Sequence, residues 1–341
     1  MVTKLFIAVV VLLSTHPILA QEKSITIGHI EFYGTAGMDV KRIRNELPVH
    51  IGDEISVASV PDVKDRIKQS VKKTIHLEPT DVAMLCCDNQ NRLVAFIGLP
   101  GKNYRQFQYN RSPKGSAQLA PQVLTIYREA MDLLLPSIQT NSREEDATGY
   151  ALSTYPPLRA KQMAMHEYAV QNEELIQRVL ADAADAQQRE VAAELVGYGQ
   201  QNTQQVRALV RASRDVNDGV RNNAMRALGV LVDSKKVSAQ QISPEPFIQM
   251  LNSGIWTDRN KGAYLLQGLT LSRDRRLLAS IHKKAFVSLY EMARWQDPSH
   301  AGSARYILGR IAGIDEKRLV QLIAEDDVDT ILRAFRGRLY L

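Results

Sequence analysis

The residues able to do chemistry in this chain are scattered rather than grouped. His166-Glu167 begins the pattern of a zinc-protease helix, but the second His one turn later is missing. Gly98-Leu99-Pro100-Gly101-Lys102 has the glycines and the lysine of a phosphate loop without its spacing or its following Ser or Thr. No Gly-x-Ser-x-Gly elbow for a nucleophilic serine occurs, and His29, His50, His76, His282 and His300 have no clustered partners in the sequence. Cys86 and Cys87 are adjacent, which offers neither metal-ligand spacing nor a disulfide framework. Neighbouring side chains on a strand point to opposite faces, so two separate packed thiols are expected. One of them facing outward would allow an intermolecular disulfide in an oxidising compartment. Asn110-Arg111-Ser112 fits a glycosylation acceptor, but Pro113 follows it. These motifs lead to no catalytic, metal-binding or cofactor-binding assignment, and the chain is expected not to be an enzyme.

What remains is surface, and surface is set by the elements that carry it. The stretch Val220–Leu231 is a helix with a stripe of small and aliphatic residues, and the C-terminal half repeats it. From Arg221, Ala224, Ala227, Leu228 and Leu231 fall on one helical face. The same offsets from Arg189 give Ala192, Leu195, Val196 and Gly199; from Arg259 they give Gly262, Leu265, Leu266 and Leu269; from Ala301 they give Ala304, Ile307, Leu308 and Ile311. Gly197, Gly229 and Gly309 recur one position past the second aliphatic, with Gln267 as the exception. An amphipathic segment precedes each copy, around Val179, Leu209, Met250 and Leu289. Each unit is a helical hairpin, and the hairpins recur at roughly 30–45 residues, the period of stacked helical repeats.

The best copy, Ser213–Ala224 followed by Ala227-Leu228-Gly229, resembles the HEAT-repeat family. The resemblance covers about residues 173–336 and weakens where Ser253 stands for Asp215 and Ala301 for Arg221. It implies an α-solenoid in which Arg189, Arg221 and Arg259 make structural contacts between repeats. It also implies that the second helix of each hairpin lines the concave side. The outward columns on those helices then hold Glu194, Arg226, Tyr264 and Tyr306, and Val191, Asn223, Lys261 and Ser303. With Arg305 and Arg310 beside them, Asn223, Arg226, Lys261, Tyr264, Arg305 and Tyr306 become the candidate binding residues. A patch of aromatic and cationic side chains has the composition of a protein interface.

Upstream, residues 1–20 read as a secretory signal peptide: Lys4, the apolar run Leu5–Leu13, and Ile18-Leu19-Ala20 before Gln21. That run is shorter than the roughly 20 residues of a membrane span, and no later segment qualifies. The chain is therefore expected to be exported, periplasmic or extracellular, with no membrane span after cleavage. Residues 21–100 read as a small β-α-α-β-β domain: a strand around Ile25–Gly34, helices at about 39–47 and 57–75, and a hairpin of Asp81–Cys87 and Arg92–Leu99. Ile27, Ile30, Phe32, Gly34, Gly52, Ile55 and that hairpin make it similar to POTRA domains of outer-membrane assembly proteins, which implies a module that recruits a partner. No run of barrel strands follows. Residues 101–157 form a connector with one helix at about 121–135, ended by Pro136, and a mobile polar loop containing Arg143-Glu144-Glu145-Asp146; residues 158–341 are the helical stack.

The fold class expected is thus mainly α, a HEAT-like α-solenoid behind a small POTRA-like α/β domain. The composition, 45% hydrophobic and 23% charged, is that of an ordinary globular protein. The net charge of +6, which becomes +5 once Lys4 leaves, is mild for 341 residues, and its bases are interspersed with acids. That is no nucleic-acid footprint by itself. The function expected is a non-enzymatic protein-binding scaffold of the cell envelope. The alternative is a weakly basic concave face that binds anionic polymers such as nucleic acid or envelope glycans.

Overall fold

The structure is a computed structural model that describes residues 24–140 and 142–335. The expected signal peptide, residues 1–20, lies outside the described residues. The protein is mainly helical with a small N-terminal sheet. Its elements run β1 (Ser24–Tyr33), α1 (Val40–Asn45), β2 (Glu54–Ser56), α2 (Val60–Ile75), β3 (Asp81–Cys86) and β4 (Leu93–Gly98). Then follow α3 (Pro121–Asp132), α4 (Leu134–Gln139), β5 (Glu144–Glu145), β6 (Leu152–Ser153), α5 (Pro156–Gln171), α6 (Glu173–Asp182), α7 (Ala186–Gly197), α8 (Thr203–Ala212) and α9 (Asp218–Asp233). The chain ends through α10 (Glu245–Met250), α11 (Trp256–Leu269), α12 (Arg275–Ala293), α13 (Pro298–Ile311), α14 (Glu316–Ala324) and α15 (Val328–Arg333). It divides into two compact units: Gln108–Phe247 with Lys261–Ser272, and 24–107 with Ile248–Asn260 and 273–335.

In the unit that holds the sheet, the strand order is β2-β1-β4-β3, with β1 and β4 parallel and the other pairs antiparallel. One face carries Ile27, Ile30, Phe32, Val82, Ala95 and Ile97 onto α1 and α2, which answer with Ile43, Val63, Ile67 and Val71. β4 is a continuous apolar run, Leu-Val-Ala-Phe-Ile-Gly, and it is buried throughout. A strand reads that way when both its faces are covered. The second cover comes from the C-terminal helices. Phe96 packs on Trp256, Trp295 and His300 at ring-centroid distances of 5.3, 4.9 and 5.1 Å. Trp295 Nε1 donates to the Phe32 carbonyl, and Glu291 accepts from the backbone N–H of Gly34 and Thr35. The sheet and helices α12–α13 thus share one core.

The hairpin turn is built as its polar residues suggest. Asp88 Oδ1 accepts from the backbone N–H of Gln90 and Arg92, and Asn91 takes the left-handed conformation at φ 59°. The structure joins Cys86 to Cys87 by a disulfide, which corrects the expectation of two separate thiols. β3 ends at Cys86, so Cys87 is released from the strand alternation that would have turned the two side chains apart.

The other unit is built on stacked helix pairs. α6 packs on α7 and α8 on α9; across pairs, α6 meets α8 and α7 meets α9. Asp185, Asn202 and Asn217 start α7, α8 and α9 by accepting from backbone N–H groups two or three residues on. Arg189 and Arg221 are buried and behave alike. Arg189 Nη1 donates to the carbonyls of Ala183 and Ala184, and Arg221 Nη1 to those of Asp215 and Val216. Arg189 also spans the pairs, with Nε and Nη2 donating to the two Asp215 oxygens at 2.8 and 2.9 Å. The third copy of this arginine, Arg259 in the sheet-bearing unit, is likewise buried and donates to the Ser253 carbonyl at 2.6 Å.

The helix expected at 121–135 is α3, but a break at Leu133 comes before Pro136, which falls in the first turn of α4. Proline is tolerated there because the first-turn N–H groups have no intrahelical acceptor. The polar stretch beyond it, read as a mobile loop, is folded: β5 and β6 pair in a two-residue ladder, Glu144 with Ser153 and Glu145 with Leu152.

Candidate functional site

The second helices of the pairs are not open surfaces. From Arg189 to Val196 only Glu190 is more than marginally exposed, and Val220–Leu231 is buried apart from the half-buried Asn222 and Arg226. One side of α7 and α9 meets α6 and α8. The other side is covered by the connector: α5 packs on α7, Tyr198 Oη donates to the Ala151 carbonyl at 3.0 Å, and Tyr127 bonds to Glu190 and Asn223. On α7 and α9 the positions read as outward are therefore covered by the connector of the same unit.

Under that cover lies a charged seat. Arg226 on α9 donates through Nη2 to Glu144 of the β5–β6 hairpin and through Nη1 to Glu194 of α7 at 3.3 Å. Its side chain is 14% exposed, and that of Glu144 is 6% exposed. Lys261, at the same level on α11, is buried beside them. Burial and the neighbouring Arg226 push the Lys261 ammonium down to about 8, while Glu144 and Glu194 pull the other way. Burial pushes the Glu194 carboxyl up, and Glu144 adds to this; Arg226 and Lys261 oppose it. Burial works against the Arg226 charge, but Glu144 and Glu194 outweigh it and hold the guanidinium protonated. Tyr264 completes the seat. Its hydroxyl donates to Asp233 at 2.7 Å, and its ring lies against the Gly229 backbone. A Cβ at Gly229 would stand 2.2 Å from that ring, so the glycine is what admits the tyrosine.

Four of the six candidates thus meet in one unit, at the seat or beside it. Asn223 is buried, and its Nδ2 donates to the Glu190 carbonyl at 3.1 Å. Arg305 and Tyr306 belong to the other unit. Arg305 is buried, donating to the carbonyls of Ala293 and Trp295 and pairing with Asp326. Tyr306 is half-buried under the Arg310 guanidinium, which is 5.5 Å from its ring centre. The residues that sequence reasoning did not select are Glu144 and Tyr198. The acidic run at 144–146 was visible, but its seat on Arg226, 82 residues away, was not.

A Ser, a His and an Asp do meet at the start of α13. Ser299 Oγ and Asp297 Oδ2 both approach the same ring nitrogen, Nδ1 of His300, at 3.2 and 3.0 Å. A relay needs opposite nitrogens. Asp297 is instead the N-cap of α13, held down to about 2 against burial by its bonds to His300 and Ser299. Among the described residues no group of His, Cys, Asp and Glu is placed to hold a metal ion, and no helix is long and apolar enough to cross a membrane. What the seat can do chemically is hold a carboxylate presented by an extended chain, which it does with Glu144.

No family model and no curated protein matches the sequence. Among solved structures, a designed armadillo repeat protein is similar at 12% identity and a TM-score of 0.35, over 56% of this chain and 90% of that one.

Proposed function

We propose that this chain is an exported, non-enzymatic protein-binding scaffold of the cell envelope, with HEAT-like repeats behind a POTRA-like module. The single observation that supports the reading most is the seat on α7, α9 and α11. There the repeat helices already hold a segment of polypeptide, the β5–β6 hairpin, through the Arg226 guanidinium on Glu144 and the Tyr198 hydroxyl on the Ala151 carbonyl. Stacked repeats bind extended segments in this manner because successive helices present like positions at regular spacing. The β-α-β-α-β-β order and the mixed sheet fit a docking module that shares its core with the C-terminal helices.

The test is affinity capture with crosslinking from an extract of the cell's own envelope, with residues 21–341 as bait. A parallel bait carries Tyr264→Ala and Arg226→Gln. A defined protein held by the first bait and reduced at least several-fold on the second is the expected result. Recovery of polyanions alone, lost as salt is raised, would instead favour the anionic-polymer reading.

A further inference from the structure

We propose that residues 142–150 are an internal ligand, and that the seat of Arg226, Lys261, Glu194 and Tyr264 takes an acidic, extended segment of a partner protein that displaces Glu144. This rests on the scaffold reading and adds to it the chemistry of the partner and a control on access.

The helices α7, α9 and α11 bring two cations, Arg226 and Lys261, and one carboxylate, Glu194, to a buried place. They are one negative charge short, and buried charge is costly unless paired. The missing carboxylate arrives from outside the repeat, on the hairpin. The fit is incomplete: Glu144 Oε1 is buried and has no hydrogen-bond partner, so the internal ligand satisfies the seat's charge and leaves part of its own bonding unmet. A partner carboxylate on a more adaptable backbone could bond through both oxygens.

The hairpin is also asymmetric in a way that suits release. The arm Ala151–Ser153 is buried and pinned, with Tyr198 bonded to the Ala151 carbonyl, the Gln162 carboxamide oxygen accepting from the Ser153 N–H at 2.7 Å, and Ser137 bonded to Ser153. The acidic arm has Arg143, Glu145, Ala147 and Thr148 exposed. Its middle is held by the two-residue ladder, by Glu144 on Arg226, by the Glu145–Arg159 pair at the surface, and by Gln201 donating to the Thr148 carbonyl. Its ends are fastened more firmly: the Arg143 N–H donates to Thr154 Oγ1, the Thr154 N–H to the Arg143 carbonyl and the Ser142 N–H to the Ser137 carbonyl, and the Tyr150 ring packs on His166 and Tyr198. A ladder of that length adds little stability by itself. The stretch 144–148 can therefore lift while its ends and the other arm stay.

The surroundings select a peptide over a polyanion. Glu190 of α7 and Asp233 of α9 flank the seat, alongside Glu194 within it. They tolerate one incoming carboxylate and repel a dense row of charges.

The test uses a fluorescent peptide with the sequence of residues 142–154, titrated into the full chain and read by anisotropy. Three proteins are compared: wild type, Glu144→Gln, and the double variant Glu144→Gln with Arg226→Gln, which removes both charges of the pair together. If the internal arm leaves the seat open about 1–10% of the time, weakening it raises the apparent affinity about ten- to a hundredfold. The expected result is that gain in Glu144→Gln and its loss in the double variant, with circular dichroism melts showing all three folded. Hydrogen exchange at residues 143–149 of the wild type should quicken when peptide is added. Equal affinity of wild type and Glu144→Gln overturns the proposal, as does binding that survives the double variant or leaves exchange at 143–149 unchanged. A captured envelope protein that binds all three proteins equally would leave the scaffold reading standing and remove this one.

Discussion

At the scale of single residues, buried charge decides more than exposed charge. Arg189 binds two carbonyls and both oxygens of Asp215 while almost wholly buried. Removing one member of such a pair leaves the other charge uncompensated. Arg189→Ala should therefore destabilise its unit by about 3–5 kcal/mol in urea unfolding. Gly229→Ala should also destabilise, because the Tyr264 ring occupies the place of the new methyl. The companion Gly229→Ala with Tyr264→Ala should recover part of the loss, which a double-mutant cycle would measure. Glu31 offers a test by pH: burial raises its carboxyl from 4.5 to about 6, against the opposing Gln296 N–H. Below about 4.5 folded and unfolded chains both carry the proton, and between there and about 6 the folded chain alone does. Stability should thus fall as pH rises through that window, by about 2 kcal/mol, and Glu31→Gln should flatten the slope there. The structural role of Arg189 and Arg221 was expected from the repeat resemblance, in which an arginine stands at the same offset in three of the four copies. The pairing of Arg226 was not: its partner Glu144 lies in another element, and no local spacing connects them.

At the scale of elements, the first helices of the pairs were read correctly as amphipathic, and the second helices were read too openly. The stripe on α9, Ala224, Ala227, Leu228 and Leu231, is buried as periodicity requires. Its far side, with Asn223 and Arg226, carries polar residues and so looked like a solvent face. Those polar residues are answered by others: Asn223 by the Glu190 carbonyl and Tyr127, Arg226 by Glu144 and Glu194. A helix face can thus be polar because of what covers it, and the cover comes from a connector about 80 residues upstream. The sheet poses the reverse case. β4 has no polar alternation, a sign that both faces are buried, and Trp256, Trp295 and His300 supply the second cover. A fragment of residues 24–104 lacks those rings and exposes Phe96. It should give the poorly dispersed amide spectrum of an unfolded or aggregated chain, and well-dispersed amides with native stability would refute the shared core. Trp295→Ala in the full chain should cost about 3–5 kcal/mol.

At the scale of the whole molecule, the mainly helical character and the small N-terminal sheet were both legible. The recurrence of one helix every few tens of residues announces stacked pairs, and turns and apolar runs mark β1, α1, α2 and the β3–β4 hairpin; the three-residue β2, Glu54–Ser56, which pairs with β1 between the two helices, was missed because so short an edge strand carries no apolar alternation. What local patterns could not reveal is that the connector is part of the fold, lying across α7 and α9. The proposed role of the seat on α7, α9 and α11 is to receive polypeptide from another protein. The most direct measurement is site-specific photocrosslinking in the envelope extract, with the reactive group at position 264 of the full chain and a control at the exposed Glu167 of α5. The expected result is a discrete protein adduct from position 264 that is absent from position 167 and is competed by the peptide of residues 142–154. Adducts that are equal from the two positions, or no protein adduct from 264 at all, would contradict it.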